Sequence, residues 1–145
     1  MRRVLVIGLF ILGALGCSER ERTTLEFRIA EHEPAPGLTG IVFPPTGERF
    51  HLHDEVLLNQ ADVDSAFVTI QGDRPVVELV FTDAGADKFE RLTGENIGKR
   101  CAVFLNGELV TAPRIMAAIH VGRAVLTGDF SEAEARDVAR NLSRP

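Results

Sequence analysis

Five consecutive apolar residues, Cys101 to Leu105, run into Asn106-Gly107, and a second apolar stretch begins at Leu109. Both central residues can take positive φ. A two-residue link of this kind between apolar runs therefore specifies a type I′ β-hairpin, whose twist matches that of the strands it joins. A chain with this hairpin contains antiparallel sheet, and the other elements are read outward from it.

Upstream, Ala66–Ile70 and Val76–Phe81 read as strands separated by Gly72-Asp73-Arg74-Pro75. Thr82 is a good N-cap, and Asp83 places negative charge in a first helical turn, where the helix dipole favours it. Ala86, Phe89, Thr93 and Ile97 recur at helical spacing, and Asp87 is placed to pair with Arg91. One helix is expected over about residues 83–93, with an irregular turn through Asn96 before Gly98 ends it. Downstream, Thr111-Ala112-Pro113 breaks the second hairpin strand, Arg114 to Ile119 is a mixed segment, and Ala124–Thr127 is a short strand. Ser131 and Glu134 form a capping box, and Ala135, Val138, Ala139 and Leu142 make one apolar stripe with Glu132 and Arg136 paired outside it.

Toward the N-terminus, Leu25–Ala30 alternates apolar and polar and predicts a half-buried strand. Pro34, Pro36, Gly37 and Gly40 make 31–40 a loop, irregular onward through Pro44-Pro45 and Gly47. Short strands are expected at Arg49–Leu52 and Val56–Leu58, and a turn of helix at Asp62–Ala66. The pattern is α+β: a mostly antiparallel sheet with two helices packed on one face, ferredoxin-like in character.

Residues 1–16 read as a targeting segment: Arg2 and Arg3, an apolar run from Val4 to Leu15, then Ala14 and Gly16 leading into Cys17. The run is short for a permanent span. Ala14-Leu15-Gly16 before Cys17 resembles the lipobox of bacterial lipoproteins, with Ala where Leu is more usual. The resemblance implies a cleaved signal peptide, Cys17 carrying lipid (palmitate among its acyl chains) and a membrane anchor. Several chains on one residue hold far more durably than one. Ser18, rather than Asp, after the cysteine implies sorting to the outer membrane. A conventional signal peptide and an uncleaved anchor are the other readings. Residues 17–24 read as a polar tether and 25–145 as one domain.

Residues 17–145 carry 14 Lys and Arg against 21 Asp and Glu, a formal charge of −7, with no Trp, no Tyr and no basic run. Such a surface is poorly suited to nucleic acid. With Cys17 lipidated, Cys101 has no disulfide partner, and inside an apolar strand it is expected to behave as a small buried hydrophobe.

Among candidates for chemistry, His51 and His53 fall two apart in a strand beside Asp54 and Glu55, so two imidazoles and a carboxylate could meet one metal. Solvated surface is the other reading, and neither a cysteine nor a third histidine is placed to help. His32 and His120 stand alone in expected loops. Ser18, Ser65, Ser131 and Ser143 lie in tether, short helix, cap and tail, none in a nucleophile context. Asp83, Asp87, Glu90 and Glu95 read as a solvated helix face rather than a glycosidase pair. No phosphate-cradling glycine motif is present, so no cofactor is expected and the domain is expected not to be an enzyme.

A series of motifs in one order carries a family likeness: Leu25 to Ala30 (LEFRIA), Pro75 to Phe81, Thr82 to Phe89 (TDAGADKF), Glu95 to Arg100 (ENIGKR), Ala102 to Gly107 (AVFLNG), Val110 to Pro113 (VTAP), Thr127 to Phe130 (TGDF) and Glu132 to Ala135 (EAEA). Over about residues 25–142 the chain resembles the first periplasmic domain of the SecD protein-export family, especially its head subdomain. The resemblance implies a non-catalytic periplasmic module that contacts polypeptide or an envelope partner. The chain ends near where that family continues toward its remaining transmembrane helices, so the proton-driven step is not expected of it. Arg114, Ile115, Met116 and Ile119, in the segment Pro113–Gly122, are the candidate contact residues. They can equally be read as filling the core beside the hairpin. A metal-binding factor or enzyme using His51 and His53, and a purely structural lipoprotein, stand as alternatives.

Overall fold

The structure, a computed structural model, describes residues 22–145. The expected signal peptide, Cys17 and most of the tether lie outside the described residues. The element order is β1 (Leu25–Glu31), β2 (Thr39–Phe43), β3 (Glu48–Leu52), β4 (Leu58–Asn59), a 3-10 turn (Gln60–Asp62), β5 (Val63–Gln71), β6 (Arg74–Phe81), α1 (Asp83–Glu95), β7 (Arg100–Leu105), β8 (Glu108–Thr111), β9 (Arg123–Leu126) and α2 (Glu132–Leu142). The class is α+β with antiparallel pairing and two helices, as expected. The single expected sheet is in fact two: β2-β3-β1-β7-β8, with β4 also on β1, and β5-β6-β9.

The hairpin forms as its turn chemistry dictates. Asn106 and Gly107 sit at φ 49° and 80°, both positive, between β7 and β8. Asn106 also fastens the start of the domain: its Oδ1 accepts from the Thr24 amide at 2.9 Å, and its own amide donates to the Thr24 carbonyl at 3.0 Å. Thr23 is already buried. Packing therefore reaches back at least to Thr23, into the expected tether.

Period-two alternation builds the core. Leu25, Phe27 and Ile29 of β1, Val77, Leu79 and Phe81 of β6, and Cys101, Val103 and Leu105 of β7 all point to one side and join a single buried cluster. Phe89 and Leu92 of α1, with Ala135, Ala139 and Leu142 of α2, complete it. Phe27, Phe81 and Phe89 tie the two sheets to α1 through ring pairs with centroids 4.9–6.1 Å apart. Each such buried side chain contributes about 1.5–3 kcal/mol. A smaller cluster of Ala30, Phe50, Leu52, Ala102 and Ala112 covers the opposite face of the large sheet.

Both helices carry the expected caps. Thr82 Oγ1 accepts from the Gly85 amide at 3.0 Å. Ser131 and Glu134 exchange the two capping-box bonds at 3.1 and 2.8 Å, with Arg136 paired to Glu132 outside.

Several local expectations are corrected. Thr39–Phe43, expected as loop and irregular chain, is a strand paired along its whole length with β3 across the Pro44–Gly47 turn. It is an edge strand with only alternate residues half-buried, so its own sequence hardly shows it. The helical turn expected at Asp62–Ala66 ends at Asp62, and Val63–Gln71 is strand, Ser65 included. Asn59 and Asp62 form a capping box around that turn. Of Val56–Leu58, only Leu58 is in a strand, although the Leu57 amide also donates to the Phe27 carbonyl at 2.9 Å; β3 and β4 share one edge of β1, and residues 54–56 loop out between them. Asp87 makes no ion pair with Arg91; Lys88 on the same helix reaches Asp62 at 2.8 Å. Ile97 lies beyond the helix end and is exposed.

Candidate functional site

The segment that leaves β8 is irregular but tethered. Cys101 donates its amide to the Pro113 carbonyl at 2.9 Å, Ile115 to Lys99 at 2.8 Å and Gly98 to Ile115 at 2.8 Å, which extends the β7–β8 pairing past Pro113 without regular strand. Farther on, the Ile119 amide donates to Thr93 Oγ1 at 2.9 Å, while that hydroxyl donates to the Phe89 carbonyl at 2.8 Å. Thr93 is fully buried in α1 and thus pins the segment to the helix.

The four candidate residues divide under this tethering. Ile115 is buried and belongs to the core. Arg114 is exposed, Met116 is 75% exposed, and Ile119 is partly so at 37%. All four line one apolar groove of about 640 Å³ between the two sheets. Its floor comes from distant strands: Phe27 of β1, Cys101 and Val103 of β7. α1 supplies Phe89 and Thr93, and β9 supplies Ala124 and Val125. Val121 and Val125 are exposed and line the groove; Val121 falls in the anticipated segment Pro113–Gly122 without having been named, and Val125 lies outside it. Val121 next to Gly122 was the one available sign, an apolar residue at a turn with nothing local to cover it.

Charge is confined to the groove's rim. Arg123 Nη1 is 3.0 Å from Glu78 Oε1 across β6 and β9. Among the described residues Arg114 makes no ion pair. At the floor, burial pushes the Cys101 thiol up to about 12, so it stays protonated and acts as apolar surface.

The histidine pair is placed elsewhere. His53 Nε2 lies 2.7 Å from Glu31 Oε1, and Lys99 Nζ lies 3.1 Å from the same oxygen. The hydrogen bond from His53, then that from Lys99, holds the Glu31 carboxyl below its usual range. This carboxylate already has a cationic partner where a metal ligand set would need it free. Among the described residues, no group of three or more His, Cys, Asp or Glu side chains is arranged to hold a metal. His53 instead borders a polar cleft of about 500 Å³ against α1, with Glu55, Lys88, Arg91 and Glu95. His51 stands beside Gly40 on β2. His120 pairs with Glu90 at 2.9 Å, and His32 packs on Phe50. Ser131 is used as a cap, and Ser143 Oγ is bonded to the Ala66 backbone. No helix among the described residues is long and apolar enough to cross a membrane.

Two antiparallel sheets share a core with two helices and open into an apolar groove beside a tethered segment, which makes the chain an α+β module with one exposed apolar groove among the described residues. The family model described as SecDF, P1 head subdomain, matches residues 40–144, and the chain belongs to that family. It is 40% identical over 135 residues to the protein translocase subunit SecDF of Thermus thermophilus, covering 82% of this chain and 18% of that protein. It is 41% identical over 76 residues to SecD of Acidaminococcus fermentans, covering 52% and 18% respectively. A solved structure of SecDF in its super-membrane-facing form superposes with a TM-score of 0.67 at 36% identity, over 83% of this chain and 18% of that one. Another, of SecDF as a membrane component that enhances protein export, gives 0.67 at 33% identity, over 83% and 62%. The chain thus spans under one fifth of the length of these curated relatives.

Proposed function

We propose that this chain is a lipid-anchored, non-catalytic module facing the periplasm, which binds polypeptide as an accessory to protein export. The observation that carries this reading is the apolar groove, lined by Arg114, Ile115, Met116 and Ile119, in a chain that belongs to the SecDF head family. Exposed Met and Ile side chains beside a tethered backbone suit a partner of variable sequence, since Met adapts its shape and exposed apolar patches mark contact sites. Arg114, Met116 and Ile119 make the contact, and Ile115 holds the segment from below. The anchor is lipid on Cys17, with the outer membrane as its site.

Photo-crosslinking from positions 116 and 119 in intact cells tests the binding role. Adducts with exported polypeptides are expected at both positions, and none from an exposed control position such as Asp73. Absence of polypeptide adducts at both groove positions would reject it. Labelling with a palmitate analogue tests the anchor separately: Cys17→Ala is expected to abolish incorporation, and equal labelling of both proteins would exclude Cys17 as the attachment site.

A further inference from the structure

The small sheet ends in an unpaired strand. In β5-β6-β9, the Phe81 amide donates to the Gly122 carbonyl at 3.0 Å, and β9 then pairs with β6 through Arg123–Leu126. Antiparallel pairing alternates the direction of backbone groups. If Gly122 faces β6, so do Ala124 and Leu126, and the N–H and C=O groups of Arg123 and Val125 turn outward. Among the described residues no backbone hydrogen bond meets them.

The opposite edge of the same sheet is treated differently. There Ser143 Oγ donates to the Ala66 carbonyl at 3.0 Å and accepts from the Ala66 amide at 2.9 Å, while the Arg144 amide donates to Asp64 at 3.0 Å. The end of α2 therefore closes the first part of the β5 edge, at Asp64 and Ala66, with hydrogen bonds. An exposed edge is a template for another strand, and natural domains commonly cover it. This one covers the start of the β5 edge and leaves the β9 edge open beside the groove. Across the gap, Thr127, one residue past β9, meets β8 of the large sheet through Thr111 Oγ1 to Thr127 Oγ1 at 3.2 Å.

We propose that the groove receives an extended polypeptide segment that adds to the free edge of β9 as a fourth strand of the small sheet, with a carboxylate of that segment meeting Arg114. This rests on the polypeptide-binding reading above and names its mode. A chain laid along Arg123 and Val125 satisfies their backbone groups and turns alternate side chains into the groove, as strand addition requires. A lipid tail or small apolar molecule would fill the groove but could not satisfy the edge. Local charge complementarity selects the remaining feature of the segment: Arg114, exposed and without an ion pair among the described residues, stands at the rim of an apolar groove.

The test uses the full chain purified in detergent and a labelled, capped peptide of about ten residues, alternating valine and threonine around a central aspartate, with lysine at each end for solubility. Fluorescence anisotropy compares the parent with two variants, N-methylated on one or the other set of alternate residues. One variant is expected to bind roughly tenfold or more weakly, having lost the amides that face β9, while the other matches the parent. Arg114→Glu is expected to weaken the parent and to restore affinity when lysine replaces the peptide's aspartate. Equal binding of all three peptides, or equal loss in both methylated variants, would overturn strand addition while leaving groove binding intact. No binding of the parent would also overturn it, and the crosslinking experiment then decides independently whether the groove binds polypeptide at all.

Discussion

A Cβ placed on Gly85 would stand 2.4 Å from the carbonyl oxygen of Asp62 and 3.0 Å from its Cβ. The first turn of α1 is therefore nested directly against the end of the 3-10 turn, where the Asp62 carbonyl also accepts from the Thr82 amide at 2.9 Å. Asp62 is buried, its Oδ2 accepting from the Asn59 amide and its Oδ1 from Lys88 Nζ. Helix propensity alone says Gly85→Ala should stabilise by up to about 1 kcal/mol. Contact with backbone reverses the sign, because the colliding atom cannot rotate away. A net loss of about 1–3 kcal/mol is expected, read as a lower urea midpoint. A gain in stability would show that the two turns are not nested as described.

Thr93→Val tests the pin beneath the groove. The substitution keeps shape but removes the hydroxyl that bonds Phe89 and Ile119, leaving the Ile119 amide without its acceptor. The expected cost is about 1–3 kcal/mol. Hydrogen exchange separates a local from a global effect: the Ile119 amide should exchange faster than the overall destabilisation explains. Unchanged protection at Ile119 would mean that the segment is held by other contacts.

Acid stability should depend on Glu31. Its folded-state pKa lies below the usual carboxyl value near 4.5, chiefly through the His53 hydrogen bond and then that of Lys99. A depressed carboxyl contributes stability that is fully present above the unfolded value and is lost as pH falls through the folded one. Melting temperature against pH should therefore decline below about pH 4.5 in the parent. Glu31→Gln should be less stable at neutral pH and show a shallower decline over that window. Parallel curves would remove Glu31 from the acid response.

Cys101 should report unfolding. With its pKa raised to about 12 by burial, the folded thiol is neutral and shielded, so alkylation in a Cys17→Ala background should be negligible at pH 8 without denaturant and follow the urea transition. At alkaline pH the neutral thiol stabilises fully below the unfolded value near 9, and that contribution fades as pH rises from there toward 12. Fast alkylation of the folded protein would place Cys101 at a more open groove floor.

How much of this was legible in the chain depends on whether the deciding interaction was local. The Asn106-Gly107 turn, the Thr82 cap and the Ser131–Glu134 box each contain their own physics within four residues, and each formed as read. β2 is invisible locally because what makes Thr39–Phe43 a strand is β3, not its own half-exposed side chains. The split into two sheets was hidden for the same reason, since it depends on which edges β1 and β6 offer to distant strands. The groove was half legible: the residues after Pro113 were identified from their apolar character, but Phe27, Cys101 and Val103 reach its floor only through sheet register. Ile115 looked equivalent to Met116 by sequence, and the backbone bonds to Lys99 and Gly98 are what send one inward and leave the other out.

Asn106 is the position where turn chemistry and domain closure can be separated. Its positive φ of 49° is one role, and its two bonds to Thr24 are the other. Asn106→Gly keeps the backbone freedom and the amide donor but loses the Oδ1 acceptor, so it should cost about 1 kcal/mol and loosen the start of β1. Asn106→Ala loses the acceptor and adds the penalty of a left-handed conformation, a further 1–2 kcal/mol or about that. The ordering parent, Gly, Ala in urea midpoint is thus expected, with exchange at the Thr24 amide accelerated in both variants. A glycine variant as stable as the parent, with Thr24 still protected, would mean that the turn alone explains Asn106. The start of β1 would then be held by its pairing with β7, where Leu25 lies opposite Leu105, rather than by the asparagine side chain.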